Sequence, residues 1–191
     1  MDRCKVGVIG CGDISRVYLH SLTQVFRNTQ VVAVSSRGGE SPRRRAAEFG
    51  IPYAVSTEEL LAMELDIVVI LIDPVSHFRL AEQALLAGKH TYVEKPLAAT
   101  TAEAAHLLTL AREKNLMLTC APDTLLGGGI QTCRKLIDNG LIGTPVASVG
   151  RTFNGGPESW HPNPFFLYQK GAGPLYDVGP YYIGGILYLL G

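Results

Sequence analysis

The chain has 191 residues, enough for one domain and part of a second at roughly 150 residues per domain. Hydrophobic residues make up 47% of it and charged residues 18%, which excludes an intrinsically disordered chain. The 17 Lys and Arg residues balance the 17 Asp and Glu residues, so we expect no nucleic-acid partner, which would require a basic excess.

Targeting and cysteine patterns predict a cytoplasmic protein. The opening segment MDRCKVGVIG has no secretory signal, and no run of about 18 apolar residues predicts a membrane span, so we expect no membrane partner. The 4 cysteines include no CxxC pair, which favours free thiols in a reducing compartment and predicts no metal site.

Apolar runs alternate with helical patterns over residues 1–121. The predicted strands are Lys5–Gly10, Gln30–Ser35, Tyr53–Val55, Asp66–Ile72, His90–Val93 and Leu116–Cys120. The predicted helices are Asp13–Phe26, Pro42–Gly50 with Ser41 as N-cap, Thr57–Met63, Val75–Ala87 and Thr100–Lys114. This alternation is typical of βαβ units and predicts an α/β fold with a doubly wound parallel sheet.

The composition changes near Pro122, where we place the boundary to a second domain, residues 122–191. A helix over Ile130–Asn139, a strand over Pro145–Phe153 and a helix over Tyr176–Leu190 are predicted there. The loop before the last helix contains Trp160 and His161, which could stack on and hydrogen-bond a sugar. The alternative is a surface loop anchored by one buried tryptophan.

A glycine-rich segment connects the first predicted strand to the first predicted helix. Gly10 permits a tight turn, Gly12 lets the backbone approach a pyrophosphate, and the small Ser15 takes the third glycine position. The helix N-terminus adds free N–H groups and partial positive charge. This pattern predicts a dinucleotide-binding loop, and a purely structural turn is the alternative.

The end of the second predicted strand bears on the choice of cofactor. A dinucleotide fold that binds NAD usually has Asp or Glu there, which accepts a hydrogen bond from the ribose 2′-hydroxyl. Here Ser36 and Arg37 follow the strand, and Arg37 could bind a 2′-phosphate bidentately. The sequence therefore favours NADP over NAD.

Lys95, followed by Pro96, stands at the carboxyl end of the fifth predicted strand. Ligands of open parallel sheets bind beyond that edge, which would place Lys95 near a nicotinamide. A partly desolvated lysine can titrate nearer neutrality and relay a proton, and Pro96 favours an extended backbone at Lys95. An exposed surface lysine is the alternative.

Five segments, taken in order, resemble the glucose–fructose oxidoreductase, inositol dehydrogenase and MocA (Gfo/Idh/MocA) family. They are Val6–Gly12, Asp73–His77, Glu94–Pro96, Lys135–Gly143 and Gly171–Gly179. The resemblance implies an NAD(P)-binding Rossmann domain over 1–121. It also implies that 122–191 begins an α+β substrate and oligomerisation domain, which we expect to be incomplete because family members have a larger one.

The resemblance also implies residue roles. The pyrophosphate would be lined by Gly10, Gly12, Asp13 and Ile14, and the adenosine or nicotinamide ribose would lie by Ile72, Pro74 and His77. Glu94 and Lys95 would approach the nicotinamide and the substrate. Lys95 would assist proton transfer from a sugar hydroxyl while hydride leaves its carbon, and Asp177 would hydrogen-bond the substrate.

One departure from the family pattern affects the chemistry. The family has Asp-x-Gly-x-His, with the histidine as acid/base, whereas this chain has Tyr181 in the histidine's place after Asp177 and Gly179. A tyrosine titrates near 10 when unperturbed, so it is a poor base at neutral pH but can donate a hydrogen bond or relay a proton beside Lys95.

These observations predict an NAD(P)-dependent oxidoreductase acting on a secondary alcohol or ketone of a sugar, inositol or related polyol. Two alternatives stay open: a non-catalytic dinucleotide-binding or regulatory protein, and a redox-assisted lyase or glycosidase of the same family. We expect a homo-oligomer if the second domain is complete.

Overall fold

The computed structural model describes residues 3–153, 155–159, 164–168 and 173–191. The chain divides into two compact units, Met1–Ala121 and Pro122–Gly191, and each is described by itself. In the described ranges, no helix is both long and apolar enough to cross a membrane. The predicted sugar-binding residues Trp160 and His161 lie outside the described residues.

Six parallel strands form one sheet in the first unit, in the order β3-β2-β1-β4-β5-β6. The strands are β1 (Cys4–Ile9), β2 (Thr29–Ser35), β3 (Tyr53–Ala54), β4 (Ile67–Ile70), β5 (His90–Val93) and β6 (Leu118–Cys120). The order reverses between β1 and β4, which is the switch point where ligands of such sheets bind. The predicted doubly wound α/β fold is therefore confirmed.

Helices connect the strands of this unit. They are α1 (Ser15–His20), which continues as a π-helical turn over Ser21–Val25, α2 (Glu40–Phe49), α3 (Thr57–Ala62), α4 (His77–Leu86) and α5 (Thr101–Glu113). The prediction of Ser41 as an N-cap is wrong. Helix α2 begins at Glu40, two residues before the predicted start, with Gly39 as its N-cap, and the Ser41 hydroxyl instead donates to the carbonyl oxygen of Cys11 at 3.2 Å.

Alternating side chains of the sheet form two hydrophobic clusters. Val6 and Val8 of β1 pack with Leu19 of the α1 helix, while Ile9 packs with Leu80 and other residues of α3, α4 and α5. Both layers are almost fully buried, as expected for parallel strands covered by helices on both faces. This packing fixes the carboxyl ends of the strands, where the candidate site lies.

The described part of the second unit is helical. It contains α6 (Gly128–Asp138), α7 (Pro174–Asp177) and α8 (Gly179–Leu190), with short 3-10 turns at Asp123–Leu126 and Pro164–Tyr168. Arg134 of α6 donates to the carbonyl oxygen of Tyr188 in α8 at 2.9 Å. The strand predicted over Pro145–Phe153 does not form, because a strand needs a hydrogen-bonding neighbour and the described remainder of this unit offers none.

Candidate functional site

The glycine-rich loop occupies the switch point of the sheet. Gly10 has φ +114°, and a methyl group there would lie 2.1 Å from the carbonyl oxygen of Leu71, so only glycine fits. Gly12 differs, because a methyl group there would meet no atom within 4 Å. The first glycine thus shapes the turn, and the second leaves open space above the backbone.

This open space is lined by N–H groups. Gly12, Asp13 and Ile14 are exposed, and their backbone N–H groups donate to nothing within the described part of the chain. They precede α1, whose amino end carries partial positive charge. Free donors, open space and a helix N-terminus together fit the diphosphate of a dinucleotide, which these residues would hold.

A buried arginine supports the loop from behind. Arg45 of α2 is only 4% exposed, and its guanidinium donates to the Ser15 hydroxyl at 3.1 Å and to the Gly12 carbonyl oxygen at 3.3 Å. It also pairs with Glu48 at 2.7 Å. The sequence did not predict this role for Arg45.

The end of β2 carries Ser36 and Arg37. Ser36 is half-buried and Arg37 is exposed, and the Arg37 guanidinium forms an ion pair at 2.5 Å with Asp73, which follows β4. Asp73 also accepts a hydrogen bond from the Ser76 hydroxyl at 3.0 Å. The residue predicted to select the cofactor therefore has a carboxylate partner that the sequence did not reveal.

The segment after β4 contains Ile72, Pro74 and His77. Ile72 and Pro74 are partly exposed, whereas His77, the first residue of α4, is fully buried. The two ring nitrogens of His77 lie close to the carbonyl oxygens of Pro96 and Ile72. Its burial leaves no ring surface for a ribose, so any role that it has is exerted through the surrounding backbone.

Glu94 and Lys95 follow β5 and are both half-buried. One carboxylate oxygen of Glu94 accepts a hydrogen bond from the Tyr18 hydroxyl at 2.6 Å, and the other accepts from the backbone N–H of Lys95 at 2.9 Å. The Lys95–Pro96 peptide bond is cis. The Glu94 carboxylate is thus held by groups of the protein itself.

Tyr18, missed by sequence reasoning as a functional position, ties α1 to the end of β5. Its hydroxyl also lies 3.3 Å from that of Tyr92, and the two rings are 5.8 Å apart. Burial and the neighbouring Glu94 carboxylate raise the pKa of Tyr18, so its phenol stays protonated. The Glu94 charge also affects Cys120. Burial first, and the negative charge of Glu94 second, raise the pKa of the Cys120 thiol to about 12.

The second unit carries Asp177 and Tyr181. Asp177 ends α7 and is half-buried, and Tyr181 lies in the first turn of α8. Tyr181 lines an open cleft of about 640 Å³ together with Ser148 and Arg151. Across the described ranges, no cluster of His, Cys, Asp and Glu could hold a metal ion.

Comparison with known families agrees with this geometry. Residues 4–121 match the oxidoreductase family with an NAD-binding Rossmann fold, Gfo/Idh/MocA. The chain belongs to this family. Residues 130–191 match the Gfo/Idh/MocA C-terminal domain. The predicted family is confirmed.

Several curated relatives are named as sugar oxidoreductases. The dTDP-3,4-didehydro-2,6-dideoxy-alpha-D-glucose 3-reductase of Streptomyces violaceoruber is 34% identical over 93% of this chain and 52% of its own length. The UDP-N-acetylglucosamine 3-dehydrogenase of Acidithiobacillus ferrooxidans is 34% identical over 71% of this chain and 42% of its own. The chain spans about half the length of the curated relatives that it matches.

Solved structures share the fold. KijD10, a 3-ketoreductase from Actinomadura kijaniata crystallised with NADP, is 33% identical with a TM-score of 0.69 over 74% of this chain and 46% of its own. GenD2 of gentamicin A biosynthesis, crystallised with NAD, has a TM-score of 0.85 over 100% of this chain and 54% of its own. At 23% identity, the GenD2 likeness concerns the fold alone.

Proposed function

We propose that this chain forms the cofactor-binding part of an NAD(P)-dependent oxidoreductase that acts on a secondary alcohol or ketone of a sugar or related polyol. The observation that carries the proposal is the open loop at the switch point, where Gly12, Asp13 and Ile14 present free N–H groups. Such a cofactor, when bound, gives or takes a hydride at its nicotinamide ring.

The remaining residues divide the work. Lys95, half-buried at the carboxyl end of β5, holds and moves the proton of the reacting hydroxyl through its Nζ atom. Ile72 and Pro74 would line a ribose of the bound cofactor. Glu94 orients the Lys95 backbone, because both of its carboxylate oxygens are already bound within the protein.

Asp177 and Tyr181 are assigned to the substrate. Asp177 accepts a hydrogen bond from a sugar hydroxyl, and the Tyr181 phenol donates one or relays a proton. Lys95 is proposed as the main proton-transfer group, because this chain has Tyr181 where the family pattern has histidine. Trp160 and His161 are proposed as sugar contacts on the basis of sequence alone.

NADP is the favoured cofactor. No carboxylate follows β2 directly, and Ser36 and Arg37 stand where a 2′-phosphate would need partners. The ion pair with Asp73 limits this preference, because Arg37 must exchange one anionic partner for another. We therefore expect NADPH to bind more tightly than NADH, and Arg37→Asp to reverse the order. Equal affinities in the unsubstituted protein would contradict this assignment.

The substrate class follows from the named relatives. The two curated relatives cited above are named for reactions at position 3 of nucleotide-linked sugars, which favours a nucleotide-linked 3-keto or 3-hydroxy sugar. Inositols stay within the proposal because their ring hydroxyls offer the same secondary alcohol chemistry.

Mass spectrometry of copurified cofactor, followed by a dehydrogenase screen of the full-length gene product, tests the proposal. Lys95→Ala should retain cofactor binding but lower turnover by about two orders of magnitude, the range of a general acid/base. Lys114→Ala, at an exposed position on the end of α5, is the matched control. Unchanged turnover in the Lys95 variant would remove Lys95 from the mechanism.

The screen also separates the alternatives. Cofactor binding without turnover across sugars, inositols and nucleotide-linked sugars would indicate a dinucleotide-binding or regulatory protein. Tightly retained cofactor with product formation but no net change in NAD(P)H would indicate a redox-assisted lyase or glycosidase.

A further inference from the structure

His77 links the loops that follow two neighbouring strands. Its Nδ1 atom lies 2.6 Å from the carbonyl oxygen of Pro96, after β5, and its Nε2 atom lies 3.1 Å from that of Ile72, after β4. The residue is 0% exposed. One imidazole therefore bridges two segments at the carboxyl edge of the sheet.

We propose that His77 is a positioning residue that fixes the loop carrying Lys95. This inference rests on the proposed function, in which Lys95 moves the proton. His77 acts through the carbonyl group of Pro96, the residue directly after Lys95, and it needs no contact with the cofactor or substrate.

The helix that carries His77 is held firmly in the core. His77 opens α4, and the following turns bury Leu80, Ala81 and Ala84 in the hydrophobic core beneath β4 and β5. A close-packed core holds its side chains in fixed rotamers. The ring thus connects the hydrophobic core to the loop that carries Lys95.

Of the two carbonyl oxygens near the His77 ring, that of Pro96 is the better candidate for a hydrogen bond. A carbonyl oxygen only accepts, so a ring nitrogen must donate to it. A neutral imidazole carries one N–H, and we assign it to the nearer carbonyl, that of Pro96; a protonated ring serves both carbonyls. Loss of this donor would leave the part-buried Pro96 carbonyl without its hydrogen bond and cost stability, which keeps the loop in this position.

The loop is also held on its other side. The Lys95 backbone N–H donates to the Glu94 carboxylate at 2.9 Å, and Glu94 is bound by Tyr18. The backbone N–H of Lys95 is therefore tied to α1 through Glu94 and Tyr18, and the carbonyl group of the next residue, Pro96, is tied to α4 through His77. Removing one tie should misplace the ammonium group without unfolding the sheet.

Two polar variants separate positioning from space filling. Asn places its amide near the position of the histidine Nδ1 atom, so His77→Asn keeps a donor for Pro96. Gln reaches the position of Nε2 instead, so His77→Gln serves only Ile72. His106→Gln, at a half-exposed site on α5, is the control for loss of a histidine. Thermal unfolding of each variant reports whether it folds.

The readout is the rate at which Lys95 is reductively methylated, measured by mass spectrometry with and without saturating NADPH and compared with Lys114. We expect NADPH to protect Lys95 about tenfold in the unsubstituted protein, in His106→Gln and, within a factor of about two, in His77→Asn. In His77→Gln the protection should fall to about twofold or less while NADPH still binds. Equal protection in the two His77 variants would overturn the inference.

Cofactor binding and NMR distinguish a failure of the proposed function from a failure of the inference about His77. If neither NADPH nor NADH binds to or protects the unsubstituted protein, both the proposed function and the inference are wrong. If NADPH protects Lys95 equally in the unsubstituted protein and in both His77 variants, only the inference is wrong. Nitrogen-15 NMR of the unsubstituted protein gives an answer even if a variant fails to fold. A slowly exchanging N–H at Nδ1 supports the inference, and its absence overturns it.

Discussion

Replacing Arg45 by methionine should loosen the dinucleotide loop from behind. Methionine keeps most of the apolar stem but removes the guanidinium, which contacts the Ser15 hydroxyl, the Gly12 carbonyl oxygen and the Glu48 carboxylate. The first two contacts lie beneath the loop, where Ser15 is 0% exposed. The third lies at the surface, where Glu48 keeps Arg16 as a partner at 2.7 Å.

The size of the stability loss depends on which hydrogen bonds the partners of Arg45 keep after the substitution. The Ser15 hydroxyl still donates to the Gly12 carbonyl oxygen at 2.5 Å, so no buried group is left wholly without a hydrogen bond. Hydrogen bonds from a charged donor contribute about 1.5–3 kcal/mol each, whereas the solvent-screened pair with Glu48 adds little. Since the buried partners are not orphaned, we expect a loss of about 3 kcal/mol in the free energy of unfolding. That loss should lower Tm by about 10 °C.

Arg44→Met is the matched control, because Arg44 is exposed on the same helix. Urea unfolding followed by circular dichroism measures the free energy of unfolding of both variants. Fluorescence titration measures their affinity for NADPH. The control should stay within about 0.5 kcal/mol of the unsubstituted protein. If Arg45→Met matches the control in stability and in NADPH affinity, the guanidinium does not support the loop and the reasoning is wrong.

Three other expectations concern single side chains. Gly12→Ala should fold normally but bind NADPH weakly, whereas Gly10→Ala should cost about 3 kcal/mol or more because its methyl group meets a carbonyl oxygen; equal stability of the two would contradict this. Iodoacetamide at pH 8 should label exposed Cys133 quickly and Cys11 only after unfolding, since burial raises the pKa of Cys11 to about 11; peptide mass spectrometry reads the order. Hydrogen bonds from two arginines lower the pKa of Glu48 below its ordinary value of 4.5. Glu48 should therefore stabilise the fold above about pH 4.5 and lose this effect as the pH falls through the lowered pKa. If the difference in stability between the unsubstituted protein and Glu48→Gln persists at lower pH, the pairing is refuted.

The sheet could be predicted from sequence because its signals are local. The strand His90–Val93 has the predicted bounds, and Gly50 closes α2 with φ +65°, as its position suggested. Each signal lies within a few residues of the element that it marks. The longer helix Asp13–Phe26 was predicted less well, since its second half has π-helical hydrogen bonding that apolar spacing does not distinguish.

The supports of the candidate site could not be predicted because they join distant parts of the chain. Tyr18 and Glu94 are 76 positions apart, and Arg45 and Ser15 are 30 apart. Tyr18 fits the apolar helical pattern, which hides its hydroxyl contact. Arg45 left a usable signal, since it lies on the same helical face as Pro42 and directly before Ala46, both of which are buried.

The distribution of apolar side chains gives the two units different thermodynamic characters. The buried hydrophobic residues found in the described ranges all lie within 1–121, whereas Leu126, Val146 and Phe153 are 80%, 95% and 90% exposed. The first unit should therefore melt as a cooperative transition in calorimetry, because cooperative melting requires an interior.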